Sequence, residues 1–136
     1  MVDTSLLIEA ERAKKTVVDL AVDLQPRYGK EFFALSAITL TELAQGKVKR
    51  ESSDNRSKRE WFLRDIRDTF TVVPVSPEIA IRAGQLSAHL RGEGLPIGLA
   101  DILIAATALE LGFGVLTFNL KHFRQVPDLQ IVSPIV

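Results

Sequence analysis

Short β-rich runs alternate with helical periodicity along the whole chain, and that alternation restricts the fold more than any single motif. The runs are "MVD" at the start, Phe32–Ala37, Phe70–Val75, Gly114–Phe118 and Leu129–Ser133. Between them helical patterns cover Ser5–Lys14, Thr16–Gln25, Leu40–Val48, Lys58–Asp68, Pro77–Arg91 and Ala100–Leu111, with a short turn at Leu120–Phe123. Such alternation predicts an α/β fold built on a parallel sheet. Phe32–Ala37 and Gly114–Phe118 are apolar almost throughout, as strands covered on both faces should be. Gly29 and Gly112 follow helical runs as C-terminal stops, and Ser76-Pro77-Glu78 reads as N-cap, first-turn proline and first-turn acid.

Composition narrows the class. At 136 residues, with 46% hydrophobic and 25% charged side chains, one globular domain spanning residues 1–136 is expected. The absence of cysteine excludes disulfides, thiolate zinc sites and cysteine nucleophiles. No apolar stretch approaches the ~20 residues of a membrane span. Asp3 and Glu9 bracket the apolar run Leu6–Ile8 too closely for a signal peptide, so a cytoplasmic protein with no membrane partner is expected. Seventeen basic residues balance seventeen acidic ones, which argues against bulk electrostatic coating of nucleic acid. A local basic face remains, between Lys47 and Arg67, and on sequence alone its preferred reading is a solvated helix–loop–helix surface.

Four polar residues stand at strand tips. Asp3 follows the first run, Glu42 lies just past the second, Asp101 lies near the start of an apolar helix, and Asn119 follows the fourth. Each has a plain structural reading. Asp3 suits an N-cap, Thr39 and Glu42 are spaced as a capping box, Asp101 complements a helix dipole, and Asn119 suits a turn. In an open parallel sheet, however, the carboxyl ends of the strands share one edge, so residues at these tips converge. Asp101 sits among Leu99, Ala100, Ile102, Leu103 and Ile104 with no Lys or Arg near it in sequence. A desolvated carboxylate needs a partner, and a hard cation such as Mg²⁺ or Mn²⁺ would serve. Phosphate-binding glycine loops and the G-x-S-x-G nucleophile motif are absent. His89 and His122 lack a serine nucleophile partner and read as surface or supporting residues rather than catalytic bases.

"DTSLLIEA", "SAITLTELAQG", "GLADILIAATALELG" and "LTFNLKHFRQVPDLQIV" together resemble the four blocks of a PIN domain, and more narrowly the VapC-type toxin ribonucleases of bacterial toxin–antitoxin pairs. The resemblance implies a three-layer α/β/α fold with a parallel five-stranded sheet in the order 3-2-1-4-5. It implies Mg²⁺- or Mn²⁺-dependent endonucleolytic cleavage of RNA, a homodimer, and a cognate antitoxin. Carried onto this chain, the catalytic pocket comprises Asp3, Glu42, Asp101 and Asn119, with Asp3, Asp101 and Glu42 as metal ligands and Thr4 and Thr117 as supporting hydroxyls. Lys49, Lys58 and Arg59 would track the RNA backbone. Two departures stand out: the fourth position, often aspartate, is Asn119, and the first strand is very short. A non-catalytic PIN-like module binding RNA or protein, and a structure-specific DNA nuclease, are the rival readings.

Overall fold

A computed structural model describes residues 1–28, 33–46 and 53–134. In chain order the elements are α1 (Thr4–Arg12), α2 (Val17–Tyr28), β1 (Ala34–Ser36), α3 (Ala37–Gln45), α4 (Ser53–Thr69), β2 (Thr71–Val73), α5 (Pro77–Gly92), α6 (Leu99–Leu111), β3 (Val115–Leu116), α7 (Leu120–Phe123) and β4 (Ile131–Val132). Each helical pattern of the sequence has a helix among the described residues, with Lys47 and Val48 of the Leu40–Val48 pattern lying outside them, and the strands are shorter than the apolar runs suggested. At Asp3 and Ser36 a helix begins directly where the extended segment ends, because a capping side chain stands there. Ser36 ends β1 and accepts from the Ile38 N–H, so α3 starts at Ala37 rather than Leu40. Thr39 therefore lies inside the helix, fully buried, and the expected Thr39–Glu42 capping box is overturned. Ser76 caps α5 through the Ile79 N–H with Pro77 in the first turn, as the sequence predicts. Gly112 closes α6 in the left-handed region at φ 69°, donating back to Ala108 and Leu109. Gly29 and Phe32 lie outside the described residues.

The strands form two parallel two-stranded ladders. β1 pairs with β2, Leu35 opposite Val72, and β3 pairs with β4, Val115 opposite Ile131. Between them the chain start contributes a single parallel bridge, Val2 to Leu116. The Val2 N–H donates to Ala34 O at 2.8 Å, Leu116 N–H to Met1 O at 2.8 Å, and Asp3 N–H to Leu116 O at 2.9 Å. One continuous five-stranded sheet is thus not formed by these ladders. The first segment turns into α1 at Asp3 after only one bridged residue, too short to register as a strand.

Neighbouring residues of these segments divide between two apolar clusters. Ala34, Val115 and Met1 join Ile79, Ala83, Leu90, Ile102, Ala105 and Phe123. Leu35, Leu116 and Val2 join Leu6, Leu7, Val17, Leu24, Ile66 and Phe70. Successive strand residues point to opposite faces, so helices α1, α2 and α4 cover one face and α5, α6 and α7 the other. Phe62 and Ile66 on α4, and Phe70 just past its end, recur inward at four-residue steps, while most of the intervening positions are charged and exposed. The helix–strand junctions at Asp3, Ser36 and Thr117 are buried polar positions in an otherwise apolar interior. Their hydrogen bonds assemble the site.

Candidate active site

Asp3 caps α1 and also faces the strand edge. Its residue is 3% exposed, and its Oδ2 accepts from Ser5 Oγ at 2.8 Å, Thr117 Oγ1 at 2.7 Å and, more weakly, the Ser5 N–H at 3.4 Å. Asp3 is thus the N-cap of α1, and its carboxylate also reaches Thr117 just past β3. All these donors converge on Oδ2; Oδ1 takes no hydrogen bond from the described residues. The bonds extend outward: Phe118 N–H donates to Ser5 Oγ at 3.1 Å and Asn119 N–H to Thr117 Oγ1 at 2.8 Å. Thr117, fully buried after β3, thereby locks the start of α7 to the start of α1.

Glu42 projects from the middle of α3. The buried Thr4 hydroxyl donates to its Oε1 at 2.6 Å and lies 3.0 Å from Thr39 Oγ1. Burial pushes the Glu42 carboxyl above the usual carboxylate range; the Thr4 bond opposes the shift, and the charges of Asp101 and Asp3 add to it. Asp101 stands in the first turn of α6, whose N-cap Gly98 offers no side-chain cap. Its carboxyl is also pushed up by burial; a His122 hydrogen bond opposes the shift, and the Asp3 charge adds to it. Asp3, Glu42 and Asp101 thus belong to one electrostatically coupled group. Among the described residues no Lys or Arg pairs with any of them.

Asn119 precedes α7 but its side chain does not cap it. Instead its amide Nδ2 lies 2.8 Å from His122 Nδ1, which in turn lies 2.8 Å from Asp101 Oδ2. The structure therefore brings Asn119 to the carboxylates through His122, a contact that sequence reasoning left out. The available signal was spacing: His122 follows Asn119 by three residues on a helical turn, so both face the same side. Thr4 touches Glu42, and Thr117 touches Asp3 together with Ser5. Lys58 is exposed on α4, Arg59 is partly covered, and Lys49 lies outside the described residues.

As a donor set the cluster offers hard oxygens with spare lone pairs, which suit a small divalent cation better than a soft one. Among the described residues no three carboxylates or imidazoles gather closely enough to enclose an ion unaided. Mg²⁺ does not require enclosure, since it commonly keeps several waters and takes only one or two carboxylates. The residues present fit such a hydrated ion.

The chain is similar to known proteins in sequence and in fold. The sequence profile of the PIN domain family matches residues 1–129. The chain is 30% identical over 133 residues to Ribonuclease VapC of Rickettsia bellii, covering 98% of this chain and 94% of that protein. It superposes on DNA-bound VapBC from Salmonella typhimurium with a TM-score of 0.76 at 28% identity, covering 98% and 96% of the two chains. VapBC2 from Rickettsia felis, bound to a promoter DNA fragment, shares the fold with a TM-score of 0.80 at 24% identity, covering 99% and 98%. The chain belongs to the PIN domain family and, within it, groups with the VapC-type proteins.

Proposed function

We propose that this protein is a Mg²⁺- or Mn²⁺-dependent endoribonuclease, the toxin of a VapBC-type toxin–antitoxin pair. The observation that carries the reading is the coupled group Asp3, Glu42 and Asp101, with no Lys or Arg paired to it among the described residues and two members held above the usual carboxylate range. Ribonuclease VapC of Rickettsia bellii supports the activity, and the VapBC complex of Salmonella typhimurium supports a cognate antitoxin. We extend the reading to a cytoplasmic homodimer with one domain over residues 1–136. Among the described residues no helix is long and apolar enough to cross a membrane. The sheet order 3-2-1-4-5 belongs to the same proposal, supported by the bonds of Met1–Asp3 to both Ala34 and Leu116.

Asp3, Asp101 and Glu42 would hold the cation, in part through its waters. When bound, such an ion offsets charge on the phosphoryl oxygens and acidifies the attacking water. The chain's own part is positioning. Ser5 and Thr117 hold Asp3 Oδ2, leaving Oδ1 without a hydrogen bond from the described residues; Thr4 holds Glu42 Oε1 and would leave Oε2 to orient the water. Asn119 lines the fourth side of the pocket. Lys49, Lys58 and Arg59 would contact the RNA backbone beyond it.

The test is cleavage of matched RNA and DNA substrates by wild type and Asp101→Asn, with Mn²⁺ and with chelator. RNA cleavage by the wild type alone, and only with Mn²⁺, is expected. Cleavage confined to DNA would overturn the ribonuclease reading in favour of a DNA nuclease. RNA binding without any cleavage would leave a binding module.

A further inference from the structure

His122 touches two of the four strand-tip residues, and nothing in the reaction outlined above uses it. Its Nδ1 lies 2.8 Å from Asp101 Oδ2 and 2.8 Å from the Asn119 amide, while its side chain is 47% exposed against 18% for Asp101. A single ring nitrogen carries either one hydrogen or one lone pair, so it cannot donate to one neighbour and accept from the other. An ionised Asp101 accepts only. Nδ1 must then bear a hydrogen, whether the ring is neutral or charged, and the Asn119 amide meets that hydrogen best with its oxygen turned inward. In this arrangement the Asn119 oxygen is committed to His122, and the imidazole edge is committed to Asp101.

The geometry points to His122 as a positioning residue for the metal site, fixing the Asp101 carboxylate through Nδ1–H, with Asn119 acting through it rather than as a ligand. This inference rests on the proposed metal-dependent function. Its structural logic is that α7 is only one turn long and carries His122 directly after its N-cap residue Asn119, so one short segment reaches across to the first turn of α6. With Oδ2 held by His122, Asp101 presents Oδ1 in one orientation, as Ser5 and Thr117 do for Asp3. Partners that orient a ligand in this way typically account for roughly 10–100-fold in metal affinity.

The experiment measures Mn²⁺ binding by electron paramagnetic resonance, without RNA, for the full chain and its His122→Asn, His122→Gln, His122→Phe and Asp101→Asn variants. Asparagine places an N–H where Nδ1 stands and glutamine places one where Nε2 stands, so the two amides separate the edges of the ring. Wild type and His122→Asn should bind similarly, with His122→Gln and His122→Phe weaker by roughly 10-fold or more. Melting curves on the same samples should show all the His122 variants folded, as the ring is half exposed. Equal binding by all His122 variants, tighter binding by His122→Phe, or no advantage of Asn over Gln would each overturn the positioning role while leaving the proposed function standing. Failure of the wild type to bind Mn²⁺, or undiminished binding by Asp101→Asn, would instead remove the metal site and this inference with it.

Discussion

The hydroxyl of Thr4 donates to Glu42 Oε1 at 2.6 Å, joining the first turn of α1 to the middle of α3. Thr4 is buried and burial raises the Glu42 carboxyl pKa, so this bond is the main local influence favouring the charged form. Thr4→Val keeps the shape and removes the donor. The Glu42 carboxyl should then titrate still higher, and the protein should lose about 1 kcal/mol, because a bond to a half-exposed charge sits at the low end of its class. Thr4→Ser should restore both quantities. Side-chain NMR titration of Glu42 reads the first effect and chemical denaturation the second. An unmoved Glu42 would show that Thr4 only fills space.

Glu42 and Asp101 hold their protons more tightly in the folded chain than in the unfolded one. Between the ordinary carboxylate pKa and their raised values, the native state therefore binds more protons than the unfolded state. The contribution of these two groups to stability falls as pH rises through that window and is least favourable above it. Asp101→Asn removes one charge and keeps an oxygen that accepts from His122. At neutral pH in chelator it should melt at or above the wild-type temperature, with a flatter pH dependence just above the ordinary carboxylate range. Adding Mg²⁺ should stabilise the wild type, by about 2.7 kcal/mol at a hundredfold excess over its dissociation constant, and leave the variant unmoved. A variant that unfolds in chelator would make Asp101 a structural residue instead.

Much of this site was legible because strand tips and helix starts coincide. Asp3, Glu42, Asp101 and Asn119 are far apart in sequence, yet parallel strands place such tips along one edge, and three of these carry carboxylates. What stayed hidden was pairwise. Thr39 and Glu42 fit a capping box by spacing, but β1 ends at Ser36 and that serine takes the cap. His122 had no local mark of its own; its importance comes from Asp101, twenty-one residues away in sequence and supplied by a different helix. The segment before Asp3 makes one bridge among the described residues, Val2 to Leu116, before the aspartate caps α1.

Gly46 ends α3 at φ 59° and ψ −173°, a region that is essentially closed to residues with a Cβ. A Cβ added there would also collide with the Arg59 guanidinium. Gly46→Ala should therefore cost on the order of 1–3 kcal/mol from the backbone alone, with a further loss from the displaced arginine. In the Arg59→Ala background the collision disappears and only the backbone strain remains. A double-mutant cycle by denaturant unfolding should yield a coupling of about 0.5 kcal/mol or more. Additive losses would mean that the arginine swings aside freely.

Arg59 and Lys58 are sequence neighbours with different surroundings, and that difference separates RNA contact from packing. Lys58 is exposed, whereas Arg59 is partly covered and its guanidinium lies over the Gly46 turn. If both meet the RNA backbone, each alanine replacement should lower the slope of log affinity against log salt by roughly 0.7, the value for one lost contact to a single strand. Lys49→Ala should do the same. Only Arg59→Ala should also lower the melting temperature, because a stem that covers neighbouring surface contributes packing as well as charge. Single-turnover cleavage at saturating RNA should stay within about twofold of wild type in all three, since a backbone contact made equally before and during the reaction lowers affinity without altering the chemical step. Binding of a short single-stranded RNA, titrated across salt concentrations for each variant, reads the slopes directly. Slopes unchanged for both Lys49→Ala and Lys58→Ala would return this segment to an ordinary solvated helix face, and the RNA would have to approach the carboxylates from another side.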